Sequence, residues 1–161
     1  MVDNSLLVGQ IIGRLQSSGL WLATAESCTG GLIAAALTEV PGSSNCFGYG
    51  LVTYSNRAKE QLLQVPPQVL QQYGAVSAET ACAMAAGVRE LAAADLGLSV
   101  TGIAGPGGAT MQKPVGLVYL ALATPKAVLE EGHNFAGNRQ QVRAQTLQAA
   151  LQMVKRYLEQ L

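Results

Sequence analysis

The chain has 161 residues, of which 49% are apolar and 12% charged, with 18 glycines and a formal net charge of zero. That length suits a single domain, residues 1–161, able to bury roughly two-thirds of the surface its unfolded form exposes. The composition excludes a disordered or fibrous chain, and the six arginines and four lysines are too scattered to form the basic footprint of a nucleic-acid binder.

Leu7, Ile11 and Leu15 recur at helical spacing, so residues 4–18 are expected to form a helix capped at Asp3 or Asn4. Leu20 to Ala25 reads as a buried strand. The tight loop Cys28-Thr29-Gly30-Gly31 follows, and the apolar run Leu32 to Leu37 then forms a helix that Pro41-Gly42 stops. Tyr49 to Tyr54 is a strand, and Ser55 is the N-cap of a helix running through Lys59 to Leu63. Pro66-Pro67 opens a short helix ending near Gly74, and Ser77 caps another whose Met84, Val88 and Leu91 face the core. Leu98 to Ile103 is the next strand, and Val115 to Ala123 pairs with Val128 to Phe135 as a hairpin. The last helix, about 138–161, carries Leu147, Leu151, Val154, Leu158 and Leu161 on one stripe, which suits core packing as well as a dimer interface. Strands that alternate with helices before a hairpin imply an α/β fold with a mixed sheet.

The rare residue types narrow the chemistry. His133 is the only histidine, Asp3 and Asp95 are the only aspartates, and Cys28, Cys46 and Cys82 have no metal-ligand spacing. Ser-His-Asp hydrolysis, zinc hydrolysis and two-metal phosphoryl transfer are thereby removed, and no metal or cofactor is expected. The thiols read as reduced, the N-terminus lacks a basic-then-apolar signal, and no apolar run approaches the roughly 20 residues of a membrane span; a cytoplasmic location is expected.

What remains is an inventory of hydroxyls, one useful lysine and glycine loops. Ser44 precedes and Lys59 follows the same strand, so a chain that doubles back there brings them close. A lysine base must be neutral, and lowering its pKa from about 10.4 to 7–8 costs the ammonium roughly 4 kcal/mol. A helix N-terminus supplies only about 0.3–1 kcal/mol of this, which leaves burial or a neighbour such as Arg57 to do the rest. Glu26 to Gly31 and Thr101 to Gly108 each follow a strand, where backbone amides of open α/β sheets receive ligands. His133 reads as a satisfied residue of a late strand, and Arg139 and Arg143 as a solvated face of the last helix.

Seven segments in order, Ala25-Glu26-Ser27-Cys28-Thr29-Gly30-Gly31, Gly42-Ser43-Ser44, Val52-Thr53-Tyr54-Ser55-Asn56, Lys59, Gly74-Ala75-Val76-Ser77, Thr101 to Pro106 and Lys113-Pro114-Val115-Gly116, resemble the CinA C-terminal-domain family across nearly the whole chain. The resemblance implies a three-layer α/β/α sandwich with a mixed, mostly parallel sheet, and a dimer. It also implies the activity of the family's nicotinamide-nucleotide amidohydrolases, which convert nicotinamide mononucleotide and water to nicotinate mononucleotide and ammonia in pyridine-nucleotide recycling. Carried over by position, Ser44 is the nucleophile and Lys59 its general base, with Tyr54 and Ser27 as supporting hydrogen-bonders. Glu26, Thr29, Gly30, Gly31, Thr101, Gly102, Gly105 and Gly108 are the expected seats of the mononucleotide, its phosphate above all. Gly107 stands where many relatives carry an acidic residue, and Ala109 to Gln112 is uncharged where relatives are often charged. The rival class is a nucleotide-binding or interaction module that keeps the fold and turns nothing over.

Overall fold

In the computed structural model, which describes residues 3–161, a five-stranded sheet in the order β2-β1-β3-β4-β5 forms the middle layer. The strands are β1 (Leu22–Glu26), β2 (Phe47–Val52), β3 (Leu96–Gly102), β4 (Leu117–Ala123) and β5 (Val128–Asn134). β1 pairs parallel with β2 and β3, while β4 is antiparallel to both β3 and β5, so four of the five strands point the same way. This is the mixed, mostly parallel sheet expected of the chain.

Alternation along β1 divides the core. Leu22 points to a large apolar cluster that also takes Val8, Ile11, Ile33, Leu98, Leu120, Leu151 and Val154, under α1 (Ser5–Ser18), α2 (Leu32–Thr38) and α6 (Arg139–Leu158). Ala23 and Ala25 point to the opposite layer, where α3 (Asn56–Leu63), α4 (Pro67–Tyr73) and α5 (Ala78–Leu91) enclose Leu63, Leu70, Met84 and Val88. Gly87 lets α5 touch α3 closely, because a Cβ there would overlap the Leu63 carbonyl. Caps read from the sequence are present: Ser55 Oγ accepts from Ala58 N, and Ser77 Oγ from Thr80 N.

Some details differ from expectation, element ends among them. Leu91 is half exposed at the end of α5, and Leu161 lies exposed beyond α6. Leu147, Leu151, Val154 and Leu158 pack on the sheet-side cluster, so core packing accounts for that stripe. β2 runs two residues earlier at both ends than Tyr49 to Tyr54, and a bulge opposite Leu22 and Ala23 leaves its Gly48 unpaired. No helix among the described residues is long and apolar enough to cross a membrane.

Candidate active site

The C-terminal ends of β1 and β3 open onto a cleft of about 240 Å³ lined by Ser27, Cys28, Tyr54, Lys59, Ala75, Val76 and Thr101, the loop Gly102 to Gly108, and Arg139. Ser27 sits one residue past β1 because its amide still donates to Val100 O of β3, 3.0 Å away, and the turn after it closes by Gly30 N donating to Ser27 O at 3.1 Å. Lys59 enters from the first turns of α3. Its side chain is 1% exposed, and its Nζ donates to Ser27 Oγ at 3.0 Å, to Thr53 O at 2.8 Å and, more weakly, to Tyr54 O at 3.5 Å.

Burial lowers the Lys59 pKa to about 8, the Cys28 thiol acting weakly against it. Arg57 is no part of the cause. Once neutral, the amine has two N–H groups and one lone pair. The two carbonyls take the N–H groups, which leaves the lone pair directed at the Ser27 hydroxyl. A serine and an amine in this relation have the geometry in which the amine can take the hydroxyl proton.

Ser44 is not part of this arrangement. It lies exposed on the 3-10 turn Ser43–Asn45, at the N-terminal end of β2, where Gln16 Nε2 holds Gly42 O. Lys59 follows the C-terminal end of the same strand, and six residues at about 3.3 Å each keep the two apart. The chain runs straight through β2 and does not double back, so the hydroxyl that meets Lys59 is that of Ser27, brought in by the neighbouring parallel strand.

The expected phosphate seat before α2 is also occupied from within. Glu26 is 1% exposed, and its carboxylate accepts from Gly31 N (3.0 Å), Ile33 N (3.2 Å) and Ala34 N (2.8 Å), consuming the free amides of the helix start. Thr29 is fully buried and lies outside the cleft, as do Gly30 and Gly31. None of these four residues lines the cleft. Since each orphaned buried N–H costs roughly 1–3 kcal/mol, Glu26→Ala is expected to destabilise the protein by about 3 kcal/mol, read by urea unfolding.

The second glycine segment does line the cleft. Thr101 is buried and spends its hydroxyl on Ala75 O at 2.6 Å, which fixes the Ala75-Val76 wall. Gly102 is required by β4, since a Cβ would strike Val118 and the Leu117 carbonyl. Gly105 and Gly108 adopt left-handed backbone at φ 82° and 90° and border the opening. Tyr54, mostly exposed, accepts at its hydroxyl from Arg139 Nη2 at 3.2 Å.

Arg139 and Arg143 are not a merely solvated face. Arg139 also holds Gly105 O at 2.9 Å, and Arg143 reaches Cys28 O at 3.1 Å and Thr29 O at 2.9 Å. Their spacing of four was visible in the sequence; the Asn138 cap that sets them in the first turns of α6 is seen in the structure. That those turns face the ends of β1 and β3 was not visible in the sequence. His133 lies on the edge strand β5 beside Glu131 at 3.2 Å and stacked on Phe135, outside the cleft.

A family model described as the CinA C-terminal domain matches residues 4–158. The chain belongs to this family. A CinA-like protein of a Geobacter species is 58% identical over 144 residues, 89% of this chain and 35% of its own length. One from Syntrophotalea carbinolica is 49% identical over 157 residues, 98% of this chain and 38% of its own. The chain thus spans little more than a third of the curated CinA relatives it matches. Among solved structures, the competence/damage inducible protein CihA from Agrobacterium tumefaciens is similar with a TM-score of 0.94 at 43% identity, covering 99% of this chain and 97% of that one. A CinA superfamily protein from Klebsiella pneumoniae gives 0.95 at 32% identity, covering 99% and 100%.

Proposed function

We propose that this CinA-family domain hydrolyses the carboxamide of nicotinamide mononucleotide to nicotinate mononucleotide and ammonia through a Ser27/Lys59 acyl-enzyme. The observation that carries the reading is the buried Lys59 Nζ 3.0 Å from Ser27 Oγ at the mouth of a cleft. The substrate comes from the family resemblance.

Ser27 Oγ attacks the carboxamide carbon as its proton passes to neutral Lys59, giving a tetrahedral intermediate. Collapse breaks the C–N bond, and Lys59 returns the proton to the leaving nitrogen, which departs as ammonia. Water then attacks the ester, again losing a proton to Lys59, and the carboxylate leaves as Ser27 recovers its proton. Tyr54, tied to Arg139, closes one rim of the cleft. The glycine loop Gly105 to Gly108 with the Arg139 guanidinium beside it supplies amides and positive charge for the phosphate.

The test is release of ammonia and nicotinate mononucleotide from nicotinamide mononucleotide by purified protein, with a chelator present. Turnover is expected; its absence at high protein concentration would return the weight to a binding module.

A further inference from the structure

We infer that Arg143 is a positioning residue for the nucleophile, an inference that rests on the Ser27/Lys59 reading above. Arg143 rises from the second turn of α6, 115 residues away from Cys28 in sequence, and spreads its guanidinium over two consecutive carbonyls, Cys28 O and Thr29 O. Cys28 O has no other hydrogen-bond donor among the described residues, while Thr29 O also accepts from Leu32 N at 3.2 Å. A planar fork across two adjacent carbonyls restrains both peptide planes together, which a single ammonium does not do.

The Cys28–Thr29 peptide lies in the turn that Gly30 N closes onto Ser27 O, so fixing it restrains the backbone from which the Ser27 side chain projects. Ser27 is held on its N-terminal side by Val100 O and on its C-terminal side by this contact, with Gly30 N closing the turn between them. Gly30 adopts φ 59°, the left-handed backbone that lets the turn close, and a Cβ there would stand at ordinary van der Waals distance from Arg143 Nη2. Arg143 does not line the cleft, whereas Arg139, one turn earlier on α6, does. Arg143 therefore acts on the attacking oxygen through the backbone and leaves the ligand untouched. A small misplacement of a reacting atom lowers the rate of the chemical step by as much as about 100-fold.

The experiment follows phosphonylation of Ser27 by a fluorophosphonate, in which Oγ bonds to phosphorus, fluoride leaves and the proton goes to Lys59. The rate is read by intact mass for the wild type, Arg143→Met and Arg143→Lys, beside steady-state kinetics on the amide substrate and thermal unfolding. We expect labelling and kcat to fall 10- to 100-fold in Arg143→Met, with KM unchanged and a cooperative unfolding transition retained. Arg143→Lys, which keeps the charge and one hydrogen bond, should fall in between. Equal labelling rates in all three proteins overturn the inference and leave the Ser27/Lys59 reading intact. A rise confined to KM, or loss of cooperative unfolding in both variants, also overturns it, making Arg143 a ligand contact or a stability residue. A wild type that takes no label on Ser27 overturns the dyad and the inference together.

Discussion

Ser27→Ala and Lys59→Met are each expected to lower turnover of nicotinamide mononucleotide by about 10⁴-fold, and Ser44→Ala to leave it at the wild-type level. The first removes the attacking oxygen and the second the group that takes its proton; a positioned base alone is worth roughly 10²–10⁴-fold. Because the two groups act on one proton, the double variant should be little worse than either single one. Ser44 is exposed at the far end of β2 and touches nothing in the cleft. The comparison is decisive because all three hydroxyl or amine groups sit in family motifs, and only geometry tells Ser27 from Ser44. Activity that survives Ser27→Ala but not Ser44→Ala would refute the assignment. Unfolding curves should show all three variants folded, since Lys59→Met replaces a buried amine with an apolar side chain of similar length.

The second large effect is on pH. Lys59 must be neutral to accept the serine proton, and burial places its pKa at about 8. Between pH 5 and 7.5, kcat/KM is therefore expected to rise about tenfold per pH unit, levelling above pH 8. The same shift governs stability. The folded pKa lies below the unfolded 10.5, so between pH 8 and 10.5 the unfolded chain binds more protons, and this lysine makes stability rise with pH across that window. Below pH 8 the ammonium is present in both states and its burial costs a constant amount, on the order of 3 kcal/mol. Cys28 opposes it at the alkaline end: burial raises its thiol to about 11, so its contribution falls from pH 9 upward. The lysine effect is isolated as the difference between wild type and Lys59→Met in urea midpoint at pH 7.5 and 10. The gap should favour Lys59→Met at pH 7.5 and narrow at pH 10. A pH-independent gap would show that Lys59 is not shifted, and a limb centred near pH 10 would deny it the role of base.

Local rules carried the fold. Apolar spacing, the Ser55 and Ser77 caps and the strand–loop–helix alternation are properties of neighbours along the chain, and the elements they predict are the elements present. That a lysine base would need burial or a neighbouring cation was also legible, and the structure decides for burial. Three matters depended on how elements meet across the sheet. β1 and β2 run parallel in adjacent positions, so the end of β1, and with it Ser27, lies beside the chain that leaves β2 for Lys59. Sequence order placed Ser44 and Lys59 around one strand, yet a strand separates what it connects. Glu26, an acidic residue in a glycine loop, reads as a ligand group until the helix it caps is seen folded over it. Arg139 and Arg143 read as surface until α6 is laid against the turn after β1. Chain-local physics determined which helices and strands form and which chemical groups were to hand. Which serine meets the lysine, and which arginines hold the turn and the rim, was decided by packing between residues 32 to 115 positions apart, which no spacing along the chain encodes.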